Sequence, residues 1–424
     1  MKNICRIRGT KDYFGEDTLY WQKIEKKIKE ILNNYSYNEI KTPILEKTSI
    51  FSYSIGNNTE TFEKEMYTLK DRRGNSISLR PENTIGCVRA GIENNLFYGK
   101  EQRFWYFGPM FRYERPQYGR YRQFHQFGVE VFGFSGIEID IEVIVMINRL
   151  FKELGIAEDV LLNINSIGSI ESRKTYSEEL VNFFKKNDIK DKYKRLLISN
   201  PLRILDKKSL YIQNLLKKAP SIIDYLDNSS KKRFKKLVNF LNEENIMYKV
   251  NPRLVRGLDY YNDTVFEWIT ERLGSHGTIC AGGRYDSLVE YFCGEKVPAI
   301  GCAIGMERII LLTKSRNSNL IKDDFYIDIY LLFEDMTLKS SLMSVSERIR
   351  SIFPKLKIKN YYGSNKKINR KIKKISKNFV KIALIITKKE YKLNKIIVKN
   401  FIEKHQKKFS LKNLVFYLKK FFKN

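Results

Sequence analysis

Apolar and polar residues alternate most clearly in two stretches, Pro109-Met110-Phe111-Arg112-Tyr113-Glu114 and residues 123–132. Side chains alternate between the faces of a strand, so the pattern predicts a β-hairpin. Phe111 and Tyr113, with Phe127, Val129 and Val131, face a core. The other face holds Arg112 and Glu114 on the first strand, and Phe124, Gln126, Gly128 and Glu130 on the second. Charge on an inner face is costly unless it is paired or bound to a ligand. This face therefore reads as a binding surface.

Helical spacing of Trp21, Ile24, Ile28, Ile31 and Tyr35 predicts an amphipathic helix. Thr42-Pro43-Ile44-Leu45-Glu46 breaks it, because Pro disfavours a helical residue before it. From about residue 171 to 245 the pattern is helical and Lys-rich, as in 178–186 and 231–241, with Gly nearly absent. That segment reads as an insertion between two halves of one sheet domain. Strand signals return at Asn251 and continue to Leu312, with a strand at 264–269. Residues 313–319 are polar and read as a linker. Beyond them, 327–333 and 382–386 are buried-strand candidates among Lys-rich amphipathic helices, which suggests a small α/β domain.

Charge changes this picture. The 424 residues carry a net charge of +30 and a pI of about 9.7. An anionic partner is implied, nucleic acid first, although a Lys-, Asn- and Ile-heavy proteome gives the same surplus by drift. No apolar run is long enough to span a bilayer, and the first six residues lack a signal-peptide core, so no membrane association is expected. Cys5, Cys87, Cys280, Cys293 and Cys302 are scattered and read as reduced thiols of a cytosolic protein. With only His125, His276 and His405 besides, no zinc cluster is expected and no residue is assigned to a metal.

Other segments carry candidate chemistry. Glu82 and Thr84 of Leu79-Arg80-Pro81-Glu82-Asn83-Thr84 share an orientation if extended. They suit an ammonium group, although from this segment alone a polar loop is the favoured reading. Residues 115–122 interleave Arg115, Arg120 and Arg122 with aromatics, a pattern for phosphates and stacked bases or for a solvated loop. Leu254-Val255-Arg256-Gly257-Leu258-Asp259-Tyr260-Tyr261 offers Arg256 to developing phosphate charge. Ala281-Gly282-Gly283-Arg284-Tyr285-Asp286 reads as a Gly turn. Residues 299–310 read as a strand entering a helix with Arg308 in its first turn. A cation there opposes the helix dipole, which points to a ligand such as a nucleotide.

Together these segments resemble the class II aminoacyl-tRNA synthetases. Thr42-Pro43-Ile44-Leu45-Glu46 stands at the first, dimer-forming motif. Phe111-Arg112-Tyr113-Glu114 through Phe132 is similar to the second, and Gly305-Met306-Glu307-Arg308 to the third. Within the class, residues 254–261 and 281–286 resemble the histidyl-tRNA synthetase family, as does Arg8-Gly9-Thr10-Lys11-Asp12. The resemblance implies an α+β fold. An antiparallel-sheet catalytic domain would span 1–320, with the helical insertion at about 171–245. A small α/β anticodon-binding domain would span 326–424.

The resemblance also implies roles. Arg112, Arg256 and Arg308 would be catalytic, the first two on the α-phosphate of ATP and Arg308 near the adenine and γ-phosphate. Phe124 would stack under the adenine and Glu114 would receive its amino group. Glu82, Thr84 and Gln126 would bind the amino and carboxylate ends of L-histidine. Glu130 and Tyr261 would take the imidazole nitrogens, with Tyr260 close by. Arg115, Gln117 and Arg120 would meet the acceptor end of tRNA(His). Mg²⁺ would bridge the phosphates, and the protein would be a cytoplasmic homodimer. Pairing both imidazole nitrogens rejects apolar analogues by ~10⁴ or more without editing.

Two departures stand out. Asn83 replaces the family's usual Gly, and Asn tolerates the left-handed backbone that Gly would take. The C-terminal Gly-rich turn reads Tyr361-Tyr362-Gly363-Ser364-Asn365-Lys366-Lys367, with added Lys. Two rival readings are an inactive paralogue that regulates ATP phosphoribosyltransferase in histidine biosynthesis, and a non-catalytic RNA-binding protein. Such paralogues generally lack the C-terminal domain and the intact 256–261 segment, and this chain keeps both.

Overall fold

The computed structural model describes residues 4–55, 65–187, 189–207, 209–274, 277–316, 320–321, 326–362, 368–375 and 379–423. His276, residues 317–319 of the expected linker and residues 363–367 of the C-terminal turn lie outside them. The chain divides into two compact units, Met1–Ser318 and Asn319–Asn424.

The first unit opens with α1 (Glu16–Asn34), whose Tyr20, Ile24, Ile28, Ile31 and Leu32 are buried at helical spacing. Glu16 and Asp17 in its first turn complement the helix dipole, and Ser36, at φ 60°, turns the chain out. β1 (Asn38–Glu39) follows. Then come β2 (Leu45–Lys47), α2 (Thr48–Ile55), β3 (Tyr67–Lys70) and β4 (Ser76–Leu79), whose strands make a small sheet in the order β2-β4-β3. α3 (Thr84–Glu93) leads into the hairpin of β5 (Gln102–Phe111) and β6 (Gln123–Phe132), then α4 (Glu138–Glu153) and β7 (Leu161–Ser166). The Lys-rich stretch forms α5 (Ile170–Lys186), α6 (Asp191–Ser199), α7 (Leu210–Leu216) and α8 (Asn228–Glu243). β8 (Tyr248–Val250), β9 (Asn262–Ile269), β10 (Thr278–Arg284), α9 (Ser287–Cys293), β11 (Ala299–Gly305) and α10 (Met306–Arg316) complete the unit.

Its main sheet runs β1-β5-β6-β11-β10-β9-β7-β8. The inner pairs are antiparallel, and the edge pairs β1–β5 and β7–β8 are parallel. Apolar side chains seal one face. Ile28 and Leu32 of α1 and Met146 and Leu150 of α4 meet Phe127 and Val129 of β6 around a void of only about 10 Å³. The other face is left for chemistry.

Several expectations need correction. The first hairpin strand is Gln102–Phe111, so Arg112, Tyr113 and Glu114 lie beyond its end and Tyr113 is exposed. The long aromatic run Phe104-Trp105-Tyr106-Phe107 fits a pleated, half-buried surface and carries the strand. Thr84 begins α3, so Glu82 and Thr84 do not share an extended segment. Residues 281–284 are strand, not turn. Gly282 and Gly283 allow close strand approach: an added Cβ would stand 2.2 Å from Gly301 O and 2.6 Å from Thr264 O respectively. Residues 313–316 continue α10, because its apolar face with Leu312 and Thr313 still packs. Asn83 sits at φ −120°, so no left-handed residue is needed there. Its Oδ1 instead accepts from Thr42 Oγ1 at 2.5 Å and Arg80 Nη1 at 3.0 Å.

The second unit contains β12 (Ile327–Phe333), α11 (Lys339–Ile352), β13 (Ile358–Asn360), α12 (Ile368–Ile375), β14 (Val380–Ile386), α13 (Lys388–Lys392), β15 (Lys395–Asn400), β16 (His405–Ser410) and α14 (Leu411–Lys423). Its sheet order is β13-β12-β14-β15-β16, parallel among the first three and antiparallel after. The two central parallel strands, β12 and β14, are mostly apolar on both faces because both are covered. Leu331 and Leu384 pack with Leu342 and Leu414 on one side, and Leu332 and Ile385 with Tyr361 and Ile375 on the other.

Candidate active site

The open face of the main sheet carries the site. Register sets Met110 opposite Phe124, Gly108 opposite Gln126, Tyr106 opposite Gly128 and Phe104 opposite Glu130. β11 sets Gly305 beside Gln126 and Gly301 beside Glu130. The glycines make room. A Cβ on Gly301 would lie 1.8 Å from Glu130 Oε2, and one on Gly128 would lie 2.1 Å from the Tyr106 ring.

Glu130 is fully buried beneath this face. Thr84 Oγ1 donates to its Oε1 at 2.7 Å and Tyr106 Oη at 3.4 Å, while Tyr285 Oη donates to Oε2. Burial, assisted by the nearby Glu82 charge, outweighs these donors and pushes the carboxyl up to about 8. Glu82 caps α3, accepting from Thr84 N at 2.8 Å and Ile85 N at 3.2 Å. Burial raises its pKa as well. Tyr260 and Tyr261 pack with centroids 4.6 Å apart, and Tyr260 touches Tyr285 at 5.6 Å. Gln126 Oε1 is buried with no hydrogen-bond partner among the described residues.

Guanidinium groups ring the same cleft. Arg112 Nε donates to Pro81 O at 2.9 Å, and its guanidinium lies 5.2 Å from the Phe124 ring centroid. Arg308 donates to Gly119 O at 3.1 Å and to Thr278 O. Burial, then the charges of Arg120 and Arg112, pull it down to about 10. Arg256 Nη1 stands 3.4 Å from Glu267 Oε2, and its Nε is buried without a partner among the described residues. Arg120 pairs with Glu114, and Arg112 lies 3.9 Å from Glu114. Clustered cations with unmet donors are suited to a polyanion.

The cleft has a volume of about 990 Å³ and collects the sequence candidates from four separate stretches: Glu82 and Thr84, the hairpin, Arg256 with Tyr260 and Tyr261, and Arg308. Glu130 lies beneath its floor. Arg115 and Gln117 are exposed on the hairpin loop, where Gln117 and Arg120 exchange main-chain hydrogen bonds at 3.1 and 3.0 Å. Sequence reasoning missed Tyr106 and Tyr285, which hold Glu130, and Glu267, which faces Arg256. Tyr106 was within reach: extending the alternation of the first strand back to residue 102 puts it on the inner face.

A family model described as histidyl-tRNA synthetase matches residues 9–309, and one described as anticodon binding domain matches residues 336–421. A histidine–tRNA ligase of Buchnera aphidicola subsp. Schizaphis graminum is 49% identical over 423 residues, spanning 99% of this chain and 98% of that protein. The apo histidyl-tRNA synthetase of S. aureus superposes with a TM-score of 0.81 at 32% identity, covering 98% of this chain and 99% of that one. The Nostoc sp. PCC 7120 histidyl-tRNA synthetase, 18% identical, shares the fold with a TM-score of 0.68, covering 99% of this chain and 100% of that one. Likeness in sequence and fold along nearly the whole length settles the kinship: the chain belongs to the histidyl-tRNA synthetase family.

Proposed function

We propose that this chain attaches L-histidine to tRNA(His) with ATP, by way of a histidyl-adenylate. One observation carries the reading. A buried carboxyl group held by three hydroxyls, Glu130 with Thr84, Tyr106 and Tyr285, lies under the same cleft that Arg112, Arg256 and Arg308 border. Glu130 and Tyr261 take the imidazole nitrogens, and Tyr260 closes the pocket. Glu82 and Gln126 take the ammonium and carboxylate ends. Thr84 donates to Glu130 and keeps lone pairs for the ammonium. Phe124 stacks under the adenine, and Glu114 receives the amino group beside its Arg120 partner.

A histidine carboxylate oxygen attacks the α-phosphorus, and the bond to the bridging oxygen of pyrophosphate breaks. Arg112 and Arg256 neutralise charge at the α-phosphate, and Arg308 does so toward the γ-phosphate. A ribose hydroxyl of the tRNA then attacks the acyl carbon and AMP leaves. No step needs a protein nucleophile; positioning does the rest.

Among the described residues no cluster of three His, Cys, Asp or Glu could hold a metal. Glu114 and Glu267 face Arg120 and Arg256. Mg²⁺ therefore fits this site as an ion carried on the phosphates of ATP, whose charge it would share. Arg115, Gln117 and Arg120 meet the acceptor end of the tRNA, and the second unit reads its anticodon. Exposed Ile44, Leu45 and Leu69 at the β2-β4-β3 sheet suit a second copy, as a homodimer. Free cysteines throughout suit the cytoplasm. No helix among the described residues is long and apolar enough to cross a membrane.

Histidine-dependent exchange of pyrophosphate into ATP tests the reading. Exchange with histidine is expected; none, or exchange only with another amino acid, overturns it. The second unit has its own core, so deleting residues 326–424 should spare this exchange. Charging of tRNA should fall sharply, and its salt slope should flatten by ~0.7 to 0.9 for each phosphate that the protein no longer neutralises. Unchanged charging by the folded fragment would remove the anticodon role.

A further inference from the structure

The loop that brings Arg256, Tyr260 and Tyr261 to the cleft makes little structure of its own. Residues 251–261 are neither helix nor strand and hold only short turns, at 252–253 and 259–260. Side chains hold the loop, three of them from the helical insertion. Arg173 of α5 donates through Nη1 to Tyr261 O at 2.8 Å. Asn200, which ends α6, donates to Asp259 Oδ1 at 2.9 Å. Arg203 donates to the same oxygen through Nη2 at 2.9 Å and Nε at 3.2 Å. Arg253, at the start of the loop, donates to Leu216 O of α7 at 2.6 Å. The sheet supplies Asn165, which donates to Leu254 O at 3.0 Å, and Glu267 opposite Arg256. The insertion also forms a wall of the cleft through Leu205, Lys207 and Gln213.

We infer that Arg173 and Arg203 are positioning residues through which the insertion latches the histidine-binding loop, and that the Arg203–Asp259 pair is the releasable part of the latch. This rests on the functional reading above. Arg173 lies inside the joint. The Arg203–Asp259 pair sits at its rim, with Asp259 39% exposed, where salt can screen it. A loop that docks only part of the time lowers apparent affinity by the docked fraction. Bound histidine, held by Tyr261, restores docking. The latch therefore acts on histidine binding and leaves the reaction of the bound complex alone.

The test is pyrophosphate exchange by the full-length chain as parent, Arg203→Ala, Arg203→Lys and the charge swap Arg203→Asp with Asp259→Arg. Arg203→Ala should raise the histidine KM about tenfold. The kcat at saturating histidine and the ATP KM should stay within about twofold. Arg203→Lys should keep part of the affinity, and the charge swap should return it toward the parent. Asp259→Asn removes the charge from the loop side while keeping the Oδ1 acceptor, and should give part of the same shift. Added KCl should raise the histidine KM of the parent and leave that of Arg203→Ala unmoved, a difference that a merely structural role would not produce. An unchanged histidine KM in folded Arg203→Ala and Asp259→Asn, or equal rises for both substrates, overturns the latch alone, provided the parent exchanges normally. A parent that shows no histidine-dependent exchange overturns the functional reading and the latch with it.

Discussion

Arg256→Ala is expected to cut histidine-dependent pyrophosphate exchange by ~10² to 10³ in a protein that stays folded. The structure gives the reason for both halves of this result. Among the described residues the Arg256 guanidinium has one partner, Glu267 at 3.4 Å, and its buried Nε has none, which leaves it donors for something that enters the cleft. Its removal leaves Glu267 with Thr278 Oγ1 at 3.3 Å and Asn163 Nδ2 at 3.5 Å, so the fold loses little. On the role proposed for Arg256, at an α-phosphate whose charge grows as it is attacked, the loss should fall on kcat more than on the histidine KM. Arg256→Lys should recover only part, since an ammonium offers a point charge without the fork. Steady-state exchange with a thermal melt decides the matter. A folded Arg256→Ala that exchanges at near-parent rate would falsify the assignment.

Arg256 also shows what the sequence makes legible. Its neighbours, Gly257 and two Tyr, made it a candidate, but what surrounds it was not readable. Its partner Glu267 lies on the following strand, and Arg173 and Arg203, which hold Tyr261 and Asp259 of the same loop, are 83 and 53 positions earlier in the chain. Local pattern carries periodicity, and periodicity identified α1, the hairpin, the helical insertion and the two buried strands of the second unit. It does not carry register. The pairing of Gly301 with Glu130 is set by β11 against β6, some 170 residues apart, and only that pairing explains why Gly is needed. Asn83 makes the same point. Its residue type suggested a left-handed backbone, whereas its side chain ties Thr42 to Arg80, a link across 41 residues that no local rule contains.

Glu130→Gln is expected to weaken histidine binding strongly and to change the pH profile of that binding. In the free protein Glu130 holds its proton up to about pH 8, because burial outweighs its hydroxyl donors. Free imidazole is neutral above ~6.5. The bound pair, carboxylate with imidazolium, contains one proton. Between those two values the free partners also hold one proton, so affinity should be flat. Above about 8 binding must take up a proton and affinity should fall, by up to ~10-fold per pH unit; below ~6.5 it must release one and affinity should fall again. Gln has no proton to take up, so the alkaline limb should shrink to what the histidine amino group alone imposes, which both proteins share. ATP affinity should move little in either protein. Stability carries the opposite sign. A carboxyl whose folded pKa lies above its unfolded value keeps a proton that the unfolded chain has lost, so the parent loses stability as pH rises from about 4.5 to about 8. Glu130→Gln should therefore melt higher than the parent at pH 9 and gain less at pH 5. Histidine titrations at about pH 7 and pH 9, with melts at pH 5 and pH 9, measure both effects on one pair of proteins. An alkaline limb of equal size in the two, or a melting difference independent of pH, would show that Glu130 is not the proton-holding wall of the histidine pocket.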